Sequence, residues 1–491
     1  MPSPTLLAAS LLLAVAGQAF AADPYPATSP LAWFLDVTES SGLPSLRYAE
    51  GVNLHDLDGD GLPEAFLTVA RGRDRLFQNL GGCRFRDVTD EKGIRESGGM
   101  GAAFGDLDGD RRADLYVVRG EHVLGDNTLY LQRQDGTFSD QSATAGAPGR
   151  RSGMAALLAD VDGDGALDIL TSGSSFTTLY RNVGKPGSLA FIEATAGSGI
   201  EPKGRGWGLL ATDFDGDGRP DLIIARGAPG SAGGVTLYRN KGGGVFEDWT
   251  VRSGVTGIAW AMGAVSADFD GDGDLDLFVT NFDGPDRLYR NDGRGTFTDI
   301  TASSGIGSGH SVGATAGCID GDLLPDLVVA QFQGPVRLYR NLGGGRFSEV
   351  RAPESGLDPF KRNDGIALAD VDGDGDLDLY VANFEGQNRL YQNTLPAGRS
   401  LKILPVANGP QPIGAVARLY NAGGLGKPEA LRATAELQAN YGLLSQGPLE
   451  ILFRLPDDGP YDLTLTYPDG TVFEQRAVRP GVTTVGNRIS P

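Results

Sequence analysis

Between Asp160 and Asp168 the sequence reads DVDGDGALD, four carboxylates in nine residues with two glycines among them. Six further stretches follow the same pattern: DLDGDGLPE from Asp56, DLDGDRRAD from Asp106, DFDGDGRPD from Asp213, DFDGDGDLD from Asp268, CIDGDLLPD from Cys318 and DVDGDGDLD from Asp370. Acids stand at positions 1, 3, 5 and 9, position 7 can offer its backbone carbonyl, and glycines at 4 and 6 let the chain curl until these oxygens converge. An oxygen-only donor set at this spacing, close to the start of an EF-hand loop, suits Ca²⁺. Mg²⁺ prefers to keep several waters, and soft metals want Cys or His, of which the chain has two and three. One such stretch could be a metal-free Asp-Gly turn. Six near-complete copies are not, because unbound carboxylates at this density repel.

The candidate ligands are therefore Asp56, Asp58, Asp60, Leu62 and Glu64; Asp106, Asp108, Asp110, Arg112 and Asp114; Asp160, Asp162, Asp164, Ala166 and Asp168; Asp213, Asp215, Asp217, Arg219 and Asp221; Asp268, Asp270, Asp272, Asp274 and Asp276; Asp320, Asp322 and Asp326; and Asp370, Asp372, Asp374, Asp376 and Asp378. Leu62, Arg112, Ala166, Arg219, Asp274 and Asp376 would contribute main-chain oxygen. Arg111 replaces the second glycine of the second stretch, which predicts a strained loop. The sixth has Cys318 at position 1 and Leu323 at position 6, which predicts the weakest site or an empty one. The expectation is about six Ca²⁺ sites and a seventh, degenerate one. Extracellular loops of this kind bind at roughly 10⁻⁴–10⁻³ M, so the ion is structural. It would also offset most of the formal charge of -21.

The stretches recur every 50 to 55 residues, the signature of a repeat architecture. Each period carries a Phe-led segment (FTDITASSGI from Phe297), a small-residue strand (GAAFGD from Gly101), the acidic loop, an apolar strand (DLIIA from Asp221) and an LYRN strand (from Leu179, Leu237, Leu288 and Leu338). A Gly-rich turn leads to the next Phe. Four short strands per period are the layout of a propeller blade. The apolar strands lack alternation, as expected between two neighbouring blades. FLDVT from Phe34 has no repeat before it, and the last repeat stops at LYQN, Leu390 to Asn393, with no Phe segment after it. The N-terminal strand is thus expected to complete the seventh blade and close the ring.

From Phe34 to Asn393 the repeat resembles the FG-GAP, or VCBS-type, repeat of integrin α-chain propellers. After a linker at 395–399 the text changes. IGAVARLYNAGG from Ile413, PLEILFRL from Pro448 and YDLTLTYPDGTVFEQ from Tyr461 read as strands. Ile413-Gly414-Ala415, Tyr441-Gly442 with Ser445-Gln446, and Tyr467-Pro468-Asp469-Gly470 are similar to the ASPIC/UnbV domain of the cartilage acidic protein family, in a bacterial-type member. The predicted fold class is all-β: a seven-bladed β-propeller over 23–394 with calcium loops, then a small β-sandwich-like domain over 400–491.

Residues 1–22, with the apolar run Leu6 to Ala16 before Ala19-Phe20-Ala21-Ala22, read as a signal peptide. The mature chain is expected to be exported, periplasmic or secreted, monomeric and without a membrane span. The acidity argues against nucleic acid as a partner. Cys83 and Cys318 are not expected to pair. No Gly-x-Ser-x-Gly elbow stands in a strand–turn–helix context, and no HExxH or Walker loop is present; His55 adjoins an acidic loop and reads as structural, while His122 and His310 could each act as a base but show no partner in sequence. Opposite the acidic loops, a rim carrying Tyr48, Met100, Met154, Trp207, Trp260, His310 and Asn363 offers varied side chains. Tyr48, Trp207, Trp260 and His310 are the candidate partner-binding residues, Trp207 and Trp260 foremost, while others of the rim could plug the central channel. The reading is a non-enzymatic calcium-binding scaffold for an extracellular or periplasmic protein or glycan. The alternative is a polysaccharide-active enzyme, a lyase or hydrolase, on the same ring.

Overall fold

The computed structural model describes residues 32–486, apart from 96–97, 121–125, 150–151, 228–233, 308, 358–362, 397, 407–412 and 439–441. The signal segment, His122 and Tyr441 lie outside the described residues. Seven four-stranded antiparallel sheets follow one another along the chain. Their innermost strands are Ala49–His55, Gly99–Gly105, Gly153–Ala159, Gly206–Thr212, Ala261–Ala267, Ser311–Gly317 and Asn363–Ala369. Each touches the innermost strand of the blade before and the blade after, and Ala49–His55 meets Asn363–Ala369, so the ring is closed.

Closure uses the N-terminal strand as expected. Phe34–Asp36 pairs with Arg389–Asn393 and becomes the outer strand of blade 7. The second strands, from Glu64–Val69 to Asp378–Asn383, are buried along their whole length, which is why their sequences do not alternate. Every inner strand ends one residue before position 1 of its acidic loop, and every second strand begins at position 9. The sheet therefore fixes both ends of each loop on one face of the ring.

Blades are also stitched by the Asn of the LYRN motif. Asn182, Asn240, Asn291 and Asn341 each donate to the position-2 carbonyl of the preceding loop (Leu107, Val161, Phe214 and Phe269, at 2.8 to 3.0 Å). Gln132 does the same to Leu57 in blade 2. Each such bond satisfies a carbonyl that the ring buries.

Residues 399–486 form two sheets around one core. Ile451–Leu455, Arg399–Val406 and Gly481–Gly486 make the first; Leu431–Glu436, Val416–Asn421, Tyr461–Thr466 and Val472–Val478 make the second. Leu401, Ile403, Leu419, Phe453 and Leu463 are buried between them.

This domain does not hang free. It sits on the loop face and sends residues 442–446 into the ring's centre. Gln446 accepts from the Phe104 N–H at 2.7 Å and donates to the Phe104 carbonyl at 3.1 Å. Its own N–H and carbonyl bond Val52 and Leu54. Gly442 N–H bonds the Ala264 carbonyl, and a Cβ on Gly263 would meet the Gly442 backbone at 2.5 Å. The glycine-rich inner strands are thus explained partly by crowding at the axis and partly by this insertion. It satisfies inner-strand groups that no neighbouring strand reaches.

Candidate metal centres

Each loop is built by its own carboxylates before any ion is considered. In blade 1, Asp56 accepts from Gly59 and Gly61 N–H at 2.8 and 2.9 Å, Asp60 from Leu62 at 2.9 Å, and Glu64 from Leu57 at 2.8 Å. Position 4 has φ between 74 and 88° and position 6 between 70 and 98° in all seven loops. This is the left-handed region that glycine enters at least cost. Arg111 and Leu323 adopt it with φ of 70 and 74°, so both loops keep the common backbone despite the substitutions.

The acids converge. Ligand oxygens of Asp56, Asp58 and Glu64 lie within 4.8 Å of one another, as do those of Asp106, Asp108 and Asp114, of Asp160, Asp162 and Asp164, and of Asp213, Asp215 and Asp221. In blade 7 the described group joins Asp372 and Asp378 with Cys83, from the Gly-rich turn of blade 1. Sequence reasoning did not place that thiol there. The signal was Cys83 standing where the other Gly-rich turns have Gly244, Gly295 and Gly345.

Position 9 is the most buried member. Asp114, Asp221, Asp276 and Asp326 are fully enclosed, and burial pushes Asp114 to about 8, Asp168 to about 7, Asp221 to about 9, Asp276 to about 8 and Glu64 to about 7. Burial also raises Asp326 and Asp378 well above the ordinary carboxylate range. Asp221 Oδ2 is enclosed and has no hydrogen-bond partner. A concave set of oxygen donors, some orphaned, each costly to ionise alone, fits a hard divalent cation. Ligation requires the ionised form. Adding a divalent cation to the metal-free chain at pH 7 should therefore release protons, read by a pH-stat. Binding without proton release would contradict these raised values.

Two partners of the loops were not read from the sequence. The Arg of LYRN reaches position 3 of its own loop: Arg181 meets Asp162, Arg239 meets Asp215, and Arg340 meets Asp320 at 2.6 Å. Gln78 and Gln392 face Asp58 and Asp372 in the same way. The recurrence of Arg or Gln before Asn was the available signal. The other partner is the C-terminal domain. Lys402 lies 3.9 Å from Asp370 and donates to the Gly61 carbonyl, and Arg418 donates to the Gly273 carbonyl. Arg112 and Arg219, read as carbonyl donors, also turn their guanidinium groups onto Asp110 and Asp217.

The sixth loop is different in kind. Cys318 Sγ accepts from Leu323 N–H at 3.2 Å, the role of a position-1 carboxylate, and lies 3.5 Å from the Arg454 carbonyl. Burial holds its thiol well above the usual range. The Leu323 side chain packs into the core of the C-terminal domain. Arg454, fully buried, donates to the Ile319 and Pro396 carbonyls. This loop contacts the C-terminal domain through Cys318 and Leu323, the two residues that depart from the acidic pattern.

A model of the FG-GAP-like repeat matches six overlapping segments, 56–117, 114–171, 160–224, 213–279, 268–329 and 319–381. The chain belongs to the FG-GAP-like repeat family. It is 26% identical over 265 residues to cartilage acidic protein 1 of Homo sapiens, covering 50% of this chain and 40% of that one. It is 25% identical over 289 residues to the Xenopus tropicalis protein of that name, covering 51% and 43%. The chain thus spans well under half the length of these relatives. Among solved structures it is similar to an Agrocybe aegerita lectin recognising non-reducing terminal N-acetylglucosamine (TM-score 0.41, 19% identity, 65% of this chain and 81% of that one). It is also similar to BBS1N in complex with ARL6DN (TM-score 0.47, 12% identity, 74% and 98%).

On the other face of the FG-GAP ring, seven-residue inner strands set the rim roughly 20 Å from the loops. Trp207 and Trp260 are half-buried with ring centroids 6.4 Å apart. Trp260 continues to Phe282 at 4.6 Å and Phe282 to Phe332 at 4.9 Å. His310 is exposed, its Nδ1 2.9 Å from the Phe282 carbonyl. Tyr48 meets Phe384 at 5.1 Å, with Arg47 and Arg71 over its ring. Phe282, Phe332 and Phe384 follow the second strands of blades 5 to 7 and extend the predicted set. Met100, Met154 and Asn363 are buried and are not rim contacts. His55 is buried against Phe104, which lowers it to about 4 and suits a structural role. Cys83 and Cys318 are both free thiols. Among the described residues no helix is long and apolar enough to cross a membrane.

Proposed function

We propose that the chain is an exported, calcium-stabilised, non-enzymatic scaffold that recognises a glycan or protein on its aromatic rim, with residues 400–491 as an ASPIC/UnbV-type domain. The observation that carries this is the arc Trp207, Trp260, Phe282 and Phe332 on the face opposite the metal loops and the C-terminal domain. Flat apolar rings beside guanidinium donors, as Arg205 beside Trp207, complement a sugar's apolar face and hydroxyl edge. The ring beneath supplies rigidity, and Ca²⁺ supplies the ring's stability.

The test is co-sedimentation of the calcium-loaded mature chain with acidic and neutral polysaccharides while polymer length is followed. Binding at constant length is expected, and Trp207→Ala with Trp260→Ala should weaken it by roughly 100-fold or more, leaving calcium-induced stabilisation in place. Falling polymer length would instead establish an enzyme. Unchanged binding by the double variant would remove the rim from the account.

Calcium titration should fill six strong sites, with the blade 6 loop empty. Cys318→Asp with Leu323→Gly should add a seventh. Seven equivalent sites in the unaltered chain would refute the assignment of loop 6 as an anchor.

A further inference from the structure

The aromatic rim ends in cations on both sides. Arg205 lies over the Trp207 ring, its guanidinium carbon 5.2 Å from the centroid, and at the far end Arg47 and Arg71 each lie 5.4 Å from the centroid of Tyr48. Between those ends come Trp260, Phe282 and Phe332, then Phe384 against Tyr48. Arg47 and Arg71 are exposed and Arg205 is half-buried. Among the described residues no carboxylate pairs with any of the three, although acids outnumber bases 63 to 42 along the chain. Arg73 and Arg75, close by in sequence, are matched by Asp90 and Asp87. The platform is also held rigidly. Tyr48 and His310 keep left-handed backbones, with φ of 67 and 58°, which bulky side chains rarely adopt. Main-chain bonds fix them there. The Tyr48 N–H donates to the Phe384 carbonyl and its carbonyl accepts from Ala70, both at 2.9 Å, while the Trp260 and His310 carbonyls accept from Phe282 and Phe332 at 2.8 Å.

Resting on the rim's role proposed above, we infer that this face takes an anionic polysaccharide, with sugar faces on the aromatic arc and an acid group at either end. A guanidinium stacked on a ring keeps its edge N–H donors free, and their fork matches two oxygens of a carboxylate or a sulfate. Two like charges converging on one tyrosine gain from a shared anion. The half-buried rings between offer flat apolar faces that suit sugars and require no charge. Asp283 and Glu385, exposed in the loops after Phe282 and Phe384, would repel an acid group in mid-arc, which places the acid groups at the ends. The guanidinium groups stay ionised at any working pH and stand on the face away from the acidic loops, so their charge does not depend on whether those loops hold metal.

The experiment is calorimetric titration of the calcium-loaded, full mature chain with two matched pairs: hyaluronan oligosaccharides against their carboxyl-reduced, neutral form, and dextran sulfate against dextran. In at least one pair the charged member is expected to bind about tenfold or more tighter than the neutral one, by a margin that shrinks as salt rises. Which pair shows it tells carboxylate from sulfate. Arg47→Gln, Arg71→Gln and Arg205→Gln together should erase that preference and leave both neutral binding and the melting temperature unchanged. Trp207→Ala with Trp260→Ala should weaken both members of the pair. Equal affinity within both pairs would overturn the inference and leave the rim's role standing. Binding in neither pair would overturn it and take glycan recognition by the rim with it. Poly-L-glutamate binding as tightly as the charged glycans would point to acidic protein segments and overturn it too, as would a preference that survives the triple variant.

Discussion

Chelating calcium should lower the melting temperature by about 10 °C. Loops of this kind bind in the range of roughly 10⁻⁴–10⁻³ M, so at about 5 mM calcium each occupied site contributes on the order of 1–2 kcal/mol to the folded state. Six sites then contribute on the order of 10 kcal/mol, and for a chain of this size a kilocalorie moves the midpoint by about 1 °C. The effect carries a sign with pH. The position-9 acids rise on folding from ordinary carboxylate values to about 7 for Asp168, about 8 for Asp114 and Asp276, and about 9 for Asp221. Without metal, their contribution to stability is present below about pH 4 and is lost as pH rises through those values. With metal, the ionised form is the ligand and the loss disappears. The gap between calcium and chelator should therefore be wider at pH 8 than at pH 5.5, measured by calorimetry. A midpoint indifferent to chelator at pH 8 would remove calcium from the account of this fold.

Replacing Arg454 with Ala should cost about 3–5 kcal/mol and free the C-terminal domain from the ring. Its side chain is fully buried between the two bodies. One guanidinium nitrogen lies 3.6 Å from Asp376, which is 2% exposed and whose carboxylate oxygens have no hydrogen-bond donor. Removing the cation leaves that acid enclosed and unmatched, and leaves the Pro396 carbonyl without its donor at 2.6 Å. The domain's grip also depends on Leu323 and Gln446, so detachment would be partial at low temperature and complete on warming. Limited proteolysis near residues 395–399, with calcium present, reads it. Cleavage no faster than in the unaltered chain would show that the clasp lies elsewhere.

Much of this was legible because it repeats. Seven acidic stretches at a constant period require seven equivalent backbones. The left-handed φ at position 6, held even by Arg111 and Leu323, shows that the loop's geometry follows from its pattern. Ring closure was legible too, because an orphan Phe34 segment and an incomplete last repeat complement each other. The departure of loop 6 from the pattern could be read from Cys318, but its reason could not. Cys318 and Leu323 are departures from the repeat, and a departure names no partner.

The sequence by itself determined the blades, their order, the acidic loops and the strand that closes the ring, since all depend on contacts between residues close in sequence or related by the period. Only the tertiary structure decided that the C-terminal domain covers the loop face and that Gln446 fills the centre by bonding Phe104 some 340 positions away. Those contacts occur once, between surfaces of unrelated sequence. Complementary shape and the pairing of buried polar groups select them, and neither leaves a period to read.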